Sequence, residues 1–244
     1  MKKLVIILIA AILVSFNGCS QAANNQPDSG GARNNVTVEG HPEEINDQPD
    51  FEVVSNNVTV WEDYTEDYFI ILAFEVSNLS NAPLHFKESD FNIVDEYGNL
   101  VSTMRSVSAY PPVVTPGSIA VYYHAKRSDV ILDENISLIA IPHIEAERWS
   151  FRGNQLGIID SRMGGSAFFT GVVENFSSRT TYNNVHIAVI TRTSNNEVVS
   201  VMTATIDSIK PREQIEFKAE DIIWQRCLGP NFITIYQSFA YVAP

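Results

Sequence analysis

Residues 210–220 read KPREQIEFKAE, and this stretch decides the fold. Apolar and polar residues alternate along it after the Pro211 turn signal. The apolar set is Ile215, Phe217 and Ala219, and the polar set is Gln214, Glu216 and Lys218. Successive side chains of a β-strand point to opposite faces, so a period of two predicts a strand with one buried face and one solvent-exposed face. Because Arg212 stands where a type II turn prefers glycine, we expect a type I turn before the strand.

The same order of turn and strand occurs earlier, as TPGSIAVYYHA at residues 115–125. Here Pro116 and Gly117 predict a type II turn. Pro116 lies 95 residues before Pro211, and Asn78 lies 97 residues before Asn175 in a matching run. Matched turns at a shared offset indicate two copies of one unit.

Further β-rich runs fill both copies, and turn-forming residues separate them. In the first copy they are YFIILAFEVSN (68–78), DFNIVDEYGNLVS (90–102), SIAVYYHAK (118–126) and NISLIAIPHI (135–144). In the second they are FFTGVVENFSS (168–178) and VHIAVITRTSNNEVVSVMTATI (185–206). SDVILDENI and AEDIIWQRC could each hold one turn of helix. We therefore predict an all-β chain with two tandem immunoglobulin-like β-sandwiches, residues 51–148 and 149–244.

Two family resemblances agree with this prediction. The run from Phe169 to Glu220 resembles the FxLYD domain, an immunoglobulin-like module of bacterial surface proteins. The run from Phe74 to Ser102, above all DFNIVDEYGN, is similar to the telokin-like domain of bacterial lipoproteins. These resemblances imply a fold and name no catalytic residues.

The amino terminus has the features of a secretion signal. Lys2 and Lys3 precede an apolar run from Leu4 to Phe16, which is too short to span a bilayer comfortably. With Gly18 and Cys19 following, the segment resembles a bacterial lipoprotein signal peptide. The resemblance implies removal of residues 1–18 and a diacylglycerol on Cys19, which would anchor the chain on the extracytoplasmic side of the bacterial cell membrane. Cleavage after Ala22 and an uncleaved anchor remain as alternatives.

Residues 19–50 then form the lipidated cysteine and a predicted flexible tether. Residues 20–50 contain no aromatic side chain and little apolar surface to offset the entropy of ordering. The second cysteine, Cys227, has no partner once Cys19 is acylated or removed, so we expect it to be a small buried residue.

The acidic residues are concentrated in the first copy. Residues 51–148 carry five Lys/Arg and fifteen Asp/Glu, a net charge of −10, whereas residues 149–244 carry eight of each. The whole chain has a net charge of −13, which argues against nucleic acid as a partner because nucleic acid is itself a polyanion. The acidity is either a solubility feature or the sign of a cationic partner.

The chain contains no recognisable catalytic motif. Its five histidines are not at metal-ligand spacing, and HExxH and CxxC are absent. MGGSAFF lacks the second glycine of a nucleophile elbow. We therefore predict no catalytic residue, no metal and no cofactor.

One acidic and aromatic stretch, WEDYTEDYF at 61–69, is the candidate contact site. Its residues could take Ca²⁺ through carboxylates or bind a basic partner, and the alternative is a solvated hairpin tip. The candidate residues are Trp61, Glu62, Asp63, Tyr64, Glu66 and Asp67.

The sequence thus predicts a non-enzymatic, lipid-anchored cell-surface protein whose β-sandwiches bind a protein partner. An inhibitor or immunity protein for a secreted enzyme is the alternative. A hydrolase with a site assembled from scattered acids is a further one.

Overall fold

A computed structural model of the chain describes residues 49–63, 65–128, 132, 136–150, 154–164, 168–221 and 235–242. Within these ranges the chain is all-β, with antiparallel strands and no helix. The two segments with a possible helical turn fall partly outside these ranges, and Cys19, Tyr64 and Cys227 lie outside them.

Among the described residues, ten strands lie in the first half of the folded part, residues 51–148. They are β1 (Phe51–Glu62), β2 (Tyr68–Asn78), β3 (Leu84–Phe86), β4 (Ser89–Asp95), β5 (Leu100–Val107), β6 (Ala109–Tyr110), β7 (Val113–Val114), β8 (Ile119–Arg127), β9 (Leu138–His143) and β10 (Ala146–Arg148). They form a four-stranded sheet β1-β2-β8-β6 and two three-stranded sheets, β5-β4-β9 and β10-β3-β7. The predicted strands at 68–78, 90–102 and 118–126 are confirmed to within one residue at each start.

Aromatic side chains fill the core between the β1-β2-β8-β6 and β5-β4-β9 sheets. Phe74 on β2 meets Phe91 on β4 edge to face, with ring centroids 5.3 Å apart, and Phe91 meets Tyr122 on β8 at 5.4 Å. All three rings are almost fully buried. This geometry is the favoured one for aromatic pairs, and it holds the two sheets together where no disulfide is available.

The second half contains six strands among the described residues. They are β11 (Leu156–Gly164), β12 (Phe168–Asn175), β13 (Tyr182–Arg192), β14 (Val198–Ile209), β15 (Gln214–Glu220) and β16 (Ile235–Val242). Their sheet has the order β11-β12-β15-β14-β13-β16, and β14 joins β15 through a single pair, Thr203 and Glu220. Residues of β12, β13 and β15 share one core. Tyr236 on the edge strand β16 donates to the Ser161 carbonyl on the other edge strand, β11, so the sheet folds over on itself. On β15, Phe217 and Ala219 are buried while Gln214, Glu216 and Lys218 are exposed, as the alternation predicted.

The repeat has the same hydrogen bonds in both halves. Asn78 and Asn175 are each fully buried at the end of a strand. The Asn78 amide donates to the carbonyls of Ala82 and Val114, and the Asn175 amide donates to those of Thr180 and Ile209. The side-chain Oδ1 of each asparagine accepts a hydrogen bond from the backbone N–H two residues later. The two corners are therefore structural equivalents.

The turns packed against these asparagines are also equivalent, and here one prediction is wrong. Gly117 has a φ of 75°, and Ser118 N–H donates to the Thr115 carbonyl, which confirms the type II turn. Arg212 has a φ of 62°, so its turn has the same left-handed residue and is not type I. The Arg212 N–H donates to the Asn175 carbonyl as the Gly117 N–H does to that of Asn78. This shared contact imposes the positive φ on an arginine.

Candidate functional site

The two halves meet through a buried apolar surface, and all described residues belong to one compact unit. Strand β2 is buried on both faces. Ile70, Leu72 and Phe74 enter the core of the first half, and Ala73 packs in a cluster with β13 and β14 of the second half. That junction cluster comprises Ala73, Val121, Ala188, Ile190, Val198 and Val201.

A buried ion pair crosses this junction. The Arg192 guanidinium on β13 donates two hydrogen bonds to the Glu75 carboxylate on β2, at 3.1 and 2.7 Å. The side chains are only 7% and 5% exposed. A third donation, to the Asn196 carbonyl at 3.0 Å, ties Arg192 to the hairpin that follows β13. Bidentate geometry and burial make this the best-defined polar contact between the halves.

A second polar contact joins the halves beside the ion pair. Tyr123 on β8 donates to the Asp221 carboxylate at 2.8 Å, and Ser200 on β14 donates to the same oxygen at 2.8 Å. Ser200 and Asp221 both belong to the second half, so the Tyr123 hydrogen bond is the one of these two that crosses the junction. Like the ion pair, it is lost if the halves separate.

The candidate stretch at 61–69 forms the connection between β1 and β2. Asp63 is buried, and its Oδ1 accepts hydrogen bonds from Thr65 N, Thr65 Oγ1 and Asp67 N at 2.8, 2.6 and 3.0 Å. Glu66 takes a φ of 62° at the turn. Asp63 therefore organises the turn, as aspartates in such loops often do.

The other candidate residues have separate surroundings. Asp67 forms an ion pair with Arg127 on β8, Glu66 is exposed, and Glu62 is half-buried at the end of β1. Among the described residues, no group of three or more His, Cys, Asp or Glu is arranged to hold a metal ion. Trp61 borders a cleft.

The Trp61 cleft lies between the halves and has a volume of about 320 Å³. Its floor is apolar: Ile71, Ala73 and Val198 are all less than a tenth exposed. Trp61 forms one wall, while Thr193 and Glu197, in the hairpin between β13 and β14, form the opposite one. The cleft thus combines an aromatic residue, an apolar floor and one acidic residue, the exposed Glu197, and Asn57 and Thr59 of β1 also line it.

A second cleft of about 380 Å³ lies on another side of the junction and contains one histidine from each half, His85 and His186. His186 stacks on Tyr241 with ring centroids 5.8 Å apart. Burial raises the pKa of Tyr241 and also that of Tyr110.

Sequence reasoning missed the junction, although a signal was present. The runs FIILAFEV in β2 and VHIAVIT in β13 are almost continuously apolar, unlike the alternating β15. Such runs are typical of strands buried on both faces. Each of these runs has one charged residue at or near its end, Glu75 in β2 and Arg192 in β13, and a charged residue in a buried strand indicates a polar partner.

No known protein-family model matches the chain, and no curated protein sequence matches it. The resemblances to the FxLYD and telokin-like domains therefore stay predictions. In the described part of the chain, no helix is long and apolar enough to cross a membrane.

Proposed function

We propose that the chain is a lipid-anchored protein of the bacterial cell surface whose two β-sandwich halves act as one non-catalytic interaction module. Cys19 carries the lipid in this proposal, and residues 20–50 link it to the folded part. Each half is an immunoglobulin-like sandwich, in keeping with the resemblances of the sequence. The partner is a protein on the extracytoplasmic side of the membrane.

The observation that supports an interaction module is the junction. The Glu75–Arg192 pair and the apolar cluster around Ala73 and Ile190 fix the halves relative to each other. A cleft between fixed walls is preorganised, so binding there costs little ordering entropy.

Cross-linking on intact cells, followed by capture of the full-length lipoprotein, tests the proposal. We expect one protein to be recovered in stoichiometric amount. Recovery of a single secreted enzyme whose activity the chain blocks would favour the inhibitor alternative. Recovery of no stoichiometric partner would contradict the interaction module and favour a hydrolase.

Replacement of the lipidated residue tests the anchor separately. Cys19→Ala should remove the mass of the lipid and, because acylation and maturation by the lipoprotein route need the thiol, release or mislocalise the chain. Cys227→Ala is the matched control and should leave both unchanged. A Cys19→Ala chain that stays on the membrane with unchanged mass would contradict the lipoprotein proposal.

A further inference from the structure

The chemistry of the Trp61 cleft selects a particular kind of group. We propose that it binds the cationic side chain of a lysine or arginine presented by the protein partner. This inference rests on the proposed function and adds the recognition site to it. Its parts are Trp61, Ile71, Ala73 and Val198 as the apolar enclosure and Glu197 as the counter-charge.

The size of the cleft limits the occupant. Ligand pockets for whole small molecules range from roughly 300 to 1,000 Å³, and this cleft of about 320 Å³ lies at the lower end. One long side chain fits such a volume better than a folded surface or a large ligand. The buried floor of Ile71 and Ala73 suits an aliphatic stem, since lysine and arginine stems pack readily on apolar surface.

The charge of the cleft selects a cation. Among the described residues that line it, Glu197 is the one charged side chain, and no lysine or arginine takes part. The nearby guanidinium of Arg192 is already bound to Glu75, so it does not neutralise Glu197. Glu197 is exposed and shows no ion pair within the described ranges, which leaves its carboxylate available. The net charge of −10 on residues 51–148 also attracts a cation from a distance.

The aromatic wall strengthens this selection. A cation within about 6 Å of a tryptophan ring is attracted by the negative face of the ring, and the attraction grows when water is excluded. Trp61 is half-buried against Phe69 and Ile71, which keeps the indole in place.

The opposite wall is also held in place. Thr193 N–H donates to the Glu197 carbonyl, Asn196 N–H donates to the Thr193 carbonyl, and Arg192 holds the Asn196 carbonyl. These contacts fix the backbone of the hairpin that carries Glu197, so this wall of the cleft is formed before the partner arrives.

Nuclear magnetic resonance of the folded part with its tether tests the proposal, with the Trp61 indole N–H signal as the reporter. The probes are acetyl-Gly-Lys-Gly-amide and its arginine counterpart. The neutral control is the norleucine peptide, which retains an unbranched aliphatic stem without the ammonium group. We expect saturable shifts with the two cationic peptides and none with the norleucine peptide. Absence of shifts with both cationic peptides, or equal shifts with norleucine, would overturn the proposal.

Free 1,5-diaminopentane distinguishes a polypeptide side chain from a small amine. Binding of the cationic peptides, with or without binding of the diamine, supports the assignment to a polypeptide. Binding of the diamine alone would overturn it.

Two variants locate the effect. Trp61→Leu should weaken peptide binding by between about twofold and thirtyfold, the range of cation–aromatic attraction. Glu197→Gln keeps the backbone contacts of the hairpin, so it should fold normally while binding weakens and depends less on salt. Glu216→Gln, on the exposed face of β15, is the matched control and should bind like the unchanged chain. Wild-type binding by both Trp61→Leu and Glu197→Gln would exclude the cleft.

Capture from cells separates this inference from the proposed function. If the unchanged lipoprotein recovers a partner and Glu197→Gln recovers it equally well, the cleft proposal fails while the interaction module stands. If the unchanged chain recovers nothing, the proposed function itself fails.

Discussion

Replacement of Arg192 by methionine is the sharpest perturbation of the junction. Methionine keeps the apolar stem and removes all three hydrogen bonds that the guanidinium donates to Glu75 and Asn196. The Glu75 carboxylate is then left 5% exposed without its counter-charge. Breaking a buried pair in this way costs about 3–5 kcal/mol, so Arg192→Met should lower the free energy of unfolding by that amount.

The double variant Glu75→Leu/Arg192→Met separates the charge from the packing. Replacement of a whole buried pair by apolar side chains is often neutral or stabilising. We therefore expect the double variant to recover most of the stability that Arg192→Met loses. The difference gives the coupling free energy of the pair, because the two residues are in direct contact.

Urea unfolding, followed by tryptophan fluorescence and by circular dichroism, measures these changes. A lower midpoint at unchanged slope reports lost stability, and separation of the two probes would report uncoupling of the halves. Lys87→Met is the control, since Lys87 and Glu147 form an ion pair with both side chains more than two fifths exposed. Its midpoint should barely move. A cost for Arg192→Met below about 1 kcal/mol, the range of surface pairs, would refute the buried junction.

Three further predictions concern the two halves separately. Asn78→Ala and Asn175→Ala should each destabilise the chain, by about 1–3 kcal/mol for every buried carbonyl left without its donor. Thermal unfolding should show similar losses of stability for the two variants, because the two asparagines have equivalent hydrogen bonds. Arg212→Gly should raise the free energy of unfolding by up to about 1 kcal/mol, because it removes a side chain from a residue with positive φ. Gly117→Arg should lower it, although a Cβ at Gly117 meets no atom within 4 Å. Urea unfolding should therefore show changes of opposite sign in the two variants, and changes of the same sign would contradict this reasoning. Burial raises the pKa of Tyr122 to about 12 in the folded state, whereas the pKa of an unfolded tyrosine is near 10. The protonated phenol therefore contributes its full stabilisation below about pH 10, and this contribution is lost as the pH rises from about 10 to 12. The free energy of unfolding of Tyr122→Phe should fall less steeply with pH over that alkaline range than that of the unchanged chain. An equal slope for the two proteins would argue against a buried phenol.

Much of the fold was predictable because local patterns decide it. The alternation in β15, the strand at 68–78 and the type II turn at Gly117 all follow from side-chain period and turn chemistry. The 97-residue match of Asn78 with Asn175 was part of the pattern that predicted two copies of one unit. These features depend on residues close together in the chain.

Features that depend on contacts between residues far apart in the sequence could not be predicted from local patterns. The turn at Arg212 was wrongly predicted because the hydrogen bond to Asn175 outweighs the preference of arginine for negative φ. Glu75 and Arg192 are separated by 117 positions, so no local pattern pairs them. In the candidate stretch, the sequence could not distinguish Asp63, which organises the turn, from Trp61, which borders a cleft that needs the second half as its other wall.

Measurement of residual dipolar couplings in a weakly aligned sample tests the fixed junction most directly. Backbone amide couplings from β2 and β8 report the orientation of the first half, and those from β13 and β14 report that of the second. Because Glu75–Arg192 and Tyr123–Asp221 join the halves, we predict that one alignment tensor fits all four strands with the structure as it stands. Two tensors of different magnitude or direction would mean that the halves move independently, and would contradict both the junction and the cleft it forms.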